Sequence, residues 1–187
     1  MPSIRAFIAL PVAPSVQREM ALVQEQLKSA GPEVRWEHPS KFHTTLKFLG
    51  DVELASVDAL SRALAGAVRP FKSFTVRFET LGAFPDLRRP RIVWIGTNPD
   101  PFILDLQRAV EAACAGLGYP AEEHAFHPHI TLGRIKAMRP SPRLTEAIKT
   151  VTFDPIQAGC PEVVLMKSEL KPGGSVYTRI QSYPLLP

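Results

Sequence analysis

The chain has 187 residues, 45% of them hydrophobic and 21% charged, with a net charge of +4 and a pI of about 9.3. That balance excludes a disordered chain and leaves material for a real core. The mild basicity fits an anionic partner such as RNA or a nucleotide, or simply a solvated basic surface, and no Lys/Arg run marks a nucleic-acid tail.

Ile4 to Leu10 reads as a buried first strand. Pro11 breaks its apolar run and Pro14 falls where a signal peptidase would have to cut, so the segment is read as structure and not as a leader. Pro14-Ser15 opens a helix through Lys28, with Val16, Met20, Val23 and Leu27 on one face, closed by Gly31-Pro32. Val34 to Trp36 is a short extended piece, and Phe42 to Leu49 is a strand closed by Gly50-Asp51. Glu53 to Val68 reads as a second helix. Phe71 to Leu81 alternates, with Phe74, Val76 and Phe78 on one side and Thr75 and Arg77 on the other, as a half-buried strand does. Gly82 to Arg89 reads as a turn and Arg91 to Thr97 as a strand. A third helix starts at Asn98-Pro99-Asp100-Pro101, runs to about Leu117 and stops at Gly118. Ala121 to Pro128 is a loop and His129 to Ile135 a strand. Pro140-Ser141-Pro142 begins a short helix to Lys149. Val151 to Ile156, Glu162 to Leu170 and Ser175 to Ser182 close the chain as strands, the last two joined by a K-P-G-G turn.

The order β-α-β-β-α-β-β-α-β-α-β-β-β predicts an α+β fold and not a doubly wound parallel sheet. The strand–helix–strand run ending at Leu49 and the run from Arg91 to Ile135 each end in a strand of the same pattern. That repetition predicts two lobes facing a shared cleft. No compositional linker separates them, so residues 1–187 read as one bilobal domain. No apolar run reaches the length of a membrane span.

The repeated pattern is His43-Thr44-Thr45-Leu46 and His129-Ile130-Thr131-Leu132. On a strand, residues i and i+2 share a face, so each copy presents an imidazole beside a hydroxyl. One such triplet is a short motif with an ordinary structural explanation; two in matching halves point to one site. Imidazole titrates near neutral pH, so one ring can accept a proton while the other donates one. Displacement at phosphorus runs roughly in line and needs base and acid on opposite sides. The threonines then stand where they can hold phosphate oxygens, and Arg134, at the far end of the second strand, offers a planar fork for phosphate or a solvated strand-end charge.

Other residues carry rival readings. His124, His127 and His129 could bind zinc, although no cysteine or carboxylate completes a familiar spacing. Trp36, Trp94 and Tyr177 could stack on a base, with packing in the core as the leading explanation for each. Cys114 and Cys160 form no C-x-x-C pair and no disulfide framework; Cys114 reads as a small core residue.

With these residues in hand, the chain resembles the two-histidine phosphoesterase superfamily. More closely it resembles the RNA 2',3'-cyclic phosphodiesterases, historically named bacterial 2'-5' RNA ligases. The resemblance runs through R-A-F-I-A-L, V-R-W-E-H-P-S-K-F-H, R-P-R-I-V-W-I-G, F-H-P-H-I-T-L-G-R and L-M-K-S-E-L-K-P-G-G-S-V-Y. It implies two pseudo-symmetric antiparallel-sheet lobes with outer helices around a central cleft. It implies hydrolysis of 2',3'-cyclic phosphate ends of RNA or nucleotides to 2'-phosphates, with neither metal nor cofactor. His43 would be the proton donor, His129 the proton acceptor, and Thr45 and Thr131 the phosphate holders, with Arg134 assisting. His124 and His127 lie outside the family's pair. The same site run in reverse would join RNA ends through a 2'-5' linkage. The remaining alternatives are a non-catalytic module binding nucleotides or RNA ends and a zinc hydrolase. A cytoplasmic monomer is expected.

Overall fold

The period-2 runs become strands and the period-3.6 runs become helices, in the expected order. The computed structural model describes residues 2–31, 33–98, 100–136, 142–172 and 174–187. Among them are β1 (Ser3–Pro11), α1 (Pro14–Lys28), β2 (Val34–Trp36), β3 (His43–Glu53), α2 (Val57–Val68), β4 (Phe74–Phe84), β5 (Ile92–Thr97), α3 (Pro101–Ala115), β6 (His129–Ile135), α4 (Pro142–Thr150), β7 (Ile156–Cys160), β8 (Glu162–Lys171) and β9 (Gly174–Pro184). Pro14 starts α1 in its first turn, where a missing N–H costs nothing. Asp100 caps α3 by accepting from the Phe102 N–H at 2.8 Å.

Several boundaries differ from the sequence expectation. β3 continues through Gly50 and Asp51, because β1 pairs with it as far as Ser3↔Glu53. Gly50 takes the required positive φ of 69° within the strand. β4 runs on through Gly82, Ala83 and Phe84, because β5 pairs with it to Phe84↔Ile92, and the turn shrinks to residues 85–91. The second helix is preceded by a 3-10 turn at Leu54–Ser56. Residues 151–155 are not strand: β4 pairs with β7 only from Phe74 to Phe78, and Pro155 has no N–H to donate. The expected helix start at Pro140-Ser141, and the turn residues Pro32, Pro99 and Gly173, lie outside the described residues.

The strands form one antiparallel sheet in the order β7-β4-β5-β6-β3-β1-β8-β9, with β2 also paired to β6. Its midline falls between β6 and β3, which meet at Thr44↔Ile130. The units β1-α1-β3 and β5-α3-β6 sit on either side of that line, so the two lobes are halves of one curled sheet. Each unit's helix contacts the opposite half: α1 packs against β7 and α3 against β3. The helix-covered face holds the main core, where Ile8, Leu46, Ile130 and Leu132 meet Met20, Leu60, Ile103 and Leu106. Each such buried side chain contributes about 1.5–3 kcal/mol from burial. The other face is left to the cleft.

Candidate active site

Strand alternation sorts the two motifs as expected. Thr44, Leu46, Ile130 and Leu132 are buried under the helices, while His43, Thr45, His129 and Thr131 are half-buried and line one cleft. Because β3 and β6 are antiparallel neighbours at Thr44↔Ile130, the two histidine–threonine pairs lie beside each other across the midline. The ladder slips by one residue at Leu46 against β1 and again at Leu132 against β5. These matching β-bulges end the alternation at the same point in both motifs. Beyond the first, Lys47 turns to the helix side and is buried; beyond the second, Gly133 lies against β2. A Cβ at Gly133 would sit 2.5 Å from Val34 Cγ1, so only glycine lets β2 approach. The Leu132 carbonyl freed by the bulge accepts from Glu37 N at 2.8 Å and from the buried Gln24 Nε2 at 2.9 Å.

The histidines are held alike. His43 Nδ1 lies 2.6 Å from the Lys41 carbonyl, and His129 Nδ1 lies 2.7 Å from the His127 carbonyl. A carbonyl only accepts, so each Nδ1 carries the hydrogen and each Nε2 is left for the cleft. Phe7 and Tyr177 flank His43, with ring centroids 4.9 and 5.3 Å away. Phe84 meets His129 edge-on at 4.8 Å. Burial within these walls is the main reason both imidazoles are weakened as bases. The backbone hydrogen bond at Nδ1 opposes it, while the neighbouring ring (His129 for His43, His127 for His129) and Arg134 add to it. His43 falls from 6.5 to about 4, and His129 also falls below the usual imidazole range.

The cleft has a volume of about 370 Å³. Arg134 lines it, largely exposed, with its Nε 3.6 Å from Glu37 Oε1. All five sequence-predicted residues, His43, His129, Thr45, Thr131 and Arg134, are therefore brought to one place. Arg5, Lys41 and the exposed Phe48 also line it, and sequence reasoning did not single them out. For Arg5 a signal existed: it shares the period-2 face of Phe7 in R-A-F-I-A-L. For Phe48 the bulges in β3 hid it.

The aromatic residues divide. Trp36 packs against the core as expected. Tyr177 lines the cleft beside His43. Trp94 departs from the core reading: its ring meets that of His127 edge-on at 4.8 Å and lies over Gly82 and Gly96, outside the main core cluster. β5 alternation explains this, because Val93 and Ile95 take the core face and Trp94 the other. His124 is exposed in the loop, and His127 is exposed with its ring 6.3 Å from that of His129. Among the described residues no three His, Cys, Asp or Glu side chains gather as metal ligands. Cys114 and Cys160 are buried, and burial pushes their thiols up to about 11 and about 12, which keeps them protonated and unreactive.

Comparison with known proteins bears on this geometry. A family model described as LigT like phosphoesterase matches residues 10–94 and 96–177, so each segment carries one histidine–threonine pair. The chain is 32% identical over 186 residues to an RNA 2',3'-cyclic phosphodiesterase of Methanothermobacter thermautotrophicus, covering 97% of this chain and 99% of the relative. It is 29% identical over 174 residues to an RNA 2',3'-cyclic phosphodiesterase of Thermotoga maritima, covering 93% and 91%. Among solved structures, E. coli LigT complexed with 3'-AMP superposes with a TM-score of 0.78 at 27% identity, covering 98% of this chain and 99% of that one. A Thermus thermophilus protein gives a TM-score of 0.82 at 25% identity over 97% and 98%.

Proposed function

The chain belongs to the LigT-like phosphoesterase family, and from that premise we propose that it is an RNA 2',3'-cyclic phosphodiesterase producing 2'-phosphate ends. The observation that carries the reading is the pairing of two H-x-T strands across the midline, with both Nε2 atoms left for one cleft. Two relatives that align over more than nine-tenths of this chain have that name.

His129 Nε2 takes a proton from water as its oxygen bonds to phosphorus. The P–O3' bond breaks, and His43 Nε2–H gives its proton to the departing O3'. A 2'-phosphomonoester and a 3'-hydroxyl result, and proton exchange with solvent resets the two rings. Thr45 and Thr131 donate hydroxyl hydrogen bonds to the non-bridging oxygens, and Arg134 meets their charge with its guanidinium. The charge is thus met by side chains of this chain, and the scheme requires no metal ion. Each acid or base contributes about a hundredfold or more.

Both rings are neutral at pH 7 in the unliganded protein, because burial outweighs the favourable backbone bond at each. The phosphodiester brings the negative charge that favours an imidazolium between it and Arg134. Substrate binding is therefore coupled to protonation of His43. The imidazolium it forms is a strong acid, which suits a proton donor.

Ligation is the same chemistry with a 5'-hydroxyl attacking phosphorus in place of water: the P–O5' bond forms, the P–O3' bond breaks, the same base and acid move the protons, and a 2'-5' linkage results. Water is in excess, so hydrolysis is the direction proposed. The site is complete within one chain, which supports residues 1–187 acting as one bilobal catalytic domain and as a monomer. No helix among the described residues is long and apolar enough to cross a membrane. Two buried free thiols accord with the reducing cytoplasm. The test is chromatography of the product from an RNA ending in 2',3'-cyclic phosphate. A 2'-phosphate is expected; a 3'-phosphate, or no product, overturns the reading.

A further inference from the structure

A register row leads out of the cleft across four strands. Phe84 on β4 pairs with Ile92 on β5, Ile92 with Arg134 on β6, and Arg134 with Arg35 on β2. Directly paired residues share a face, and Phe84, Ile92 and Arg134 line the cleft. The β4–β5 turn springs from the Phe84–Ile92 end of this row. From Asp86 to Arg91 it reads D-L-R-R-P-R, and Arg88, Arg89 and Arg91 are exposed.

The one carboxylate in the turn serves its backbone. Asp86 Oδ1 accepts from Arg88 N at 2.7 Å and Arg89 N at 3.0 Å, which fixes the turn and leaves both guanidinium groups outward. Among the described residues neither Arg88 nor Arg89 is in an ion pair. On the other half of the sheet Lys167 pairs with Glu169 at 3.2 Å, Arg5 is in register with Asp51 on β3, and Lys41 lines the cleft. The outward charge of Arg88 and Arg89 thus lies on one side of the cleft.

A 2',3'-cyclic phosphate is the 3' end of a strand, so the rest of that strand must leave the cleft in one direction. It carries one negative charge per nucleotide and follows positive surface. Resting on the phosphodiesterase reading above, we propose that the 5' continuation of the RNA runs over the Arg134–Arg35 row and the Arg88-Arg89-Arg91 turn. The protein then prefers ends of RNA strands to cyclic mononucleotides.

The test compares wild type, Arg88→Ala/Arg89→Ala and a charge-matched control, Arg62→Ala/Arg69→Ala, which removes two exposed arginines at and just beyond α2. Substrates are a 2',3'-cyclic mononucleotide and a single-stranded decamer ending in 2',3'-cyclic phosphate. Wild type is expected to favour the decamer in kcat/KM by about tenfold or more at low salt. The turn variant loses about that factor on the decamer alone. The slope of its log affinity against log salt becomes shallower by about 0.7 for each phosphate it no longer neutralises. The control variant behaves as wild type. Fluorescence anisotropy with a 3'-phosphorylated decamer gives a readout independent of turnover. If wild type hydrolyses neither substrate yet binds the decamer about tenfold more tightly than the turn variant, the phosphodiesterase reading fails and the track stands. Equal use of decamer and mononucleotide by wild type overturns the proposal. So does unchanged decamer binding by the turn variant, or an equal loss in the control.

Discussion

Replacing Glu111 by alanine probes the joint between the first motif strand and the helix layer. The bulge at Leu46 turns Lys47 inward and leaves its side chain 1% exposed. Its ammonium donates to Glu111 Oε2 at 2.8 Å and to the Pro120 carbonyl at 2.7 Å. Glu111 also accepts from Gln107 Nε2 at 3.3 Å. One lysine therefore ties β3 to α3 and to the loop that leads into the second motif. Glu111→Ala leaves a buried ammonium with one neutral acceptor. Deleting one partner of a buried pair costs about 3–5 kcal/mol. The Glu111 side chain is 15% exposed, so water reaches the gap and the lower end, about 3 kcal/mol, is expected. For a chain of this size that lowers Tm by roughly 6–12 °C. Lys47→Met/Glu111→Leu removes both charges with similar volume and recovers most of the loss. Urea unfolding at pH 7, followed by circular dichroism, measures wild type and both variants. A loss below about 1 kcal/mol for Glu111→Ala, or a double variant no better than the single, refutes the reasoning.

Other consequences follow from the cleft. Between pH 6.5 and about 4 the unfolded chain binds a proton at His43 that the fold resists. Stability from this group is thus present above pH 6.5 and lost as pH falls toward 4, by up to about 3 kcal/mol, and His129 acts in the same direction. Denaturation of His43→Asn should show a smaller acid loss than wild type; identical pH dependence excludes the burial argument. In NMR titrations the His43 pKa should rise when inorganic phosphate is added, and no movement would count against coupled protonation. Gly82→Ala places a Cβ 2.2 Å from Trp94 Cζ2. The displaced indole should cost about 1–3 kcal/mol and lower kcat through its neighbour His129, readable by comparing turnover with thermal melting. Arg134→Ala should raise KM about tenfold by losing a charged hydrogen bond.

Much of the site was legible because strand alternation is strict up to residue 45 and residue 131. His43, Thr45, His129 and Thr131 follow from period 2 alone, and Pro14, Asp100 and Gly118 mark helix ends by local chemistry. What lay beyond reading is non-local. Simple alternation continued past Thr45 would put Lys47 in the cleft, and only the ladder with β1 reveals the bulge that buries it. Phe48 reaches the cleft for the same reason. The length of β4 depends on how far β5 pairs with it, so Gly82 to Phe84 looked like turn. Trp94 looked like core because only the pairing of β5 with β4 shows that Gly82, beside Gly96 of its own strand, makes room for it on the other face. The crossing of α1 and α3 beneath opposite halves has no signature in either helix.

The central claim is that two imidazoles, one from each half, share a single reaction. It is tested by hydrolysis of a 2',3'-cyclic phosphate in excess EDTA by wild type, His43→Ala, His129→Ala and the double variant. Wild type should retain full activity in EDTA. Each single variant should lose about a hundredfold or more in kcat, and the double variant should fall less than the product of the two. Wild-type turnover in either single variant contradicts the account.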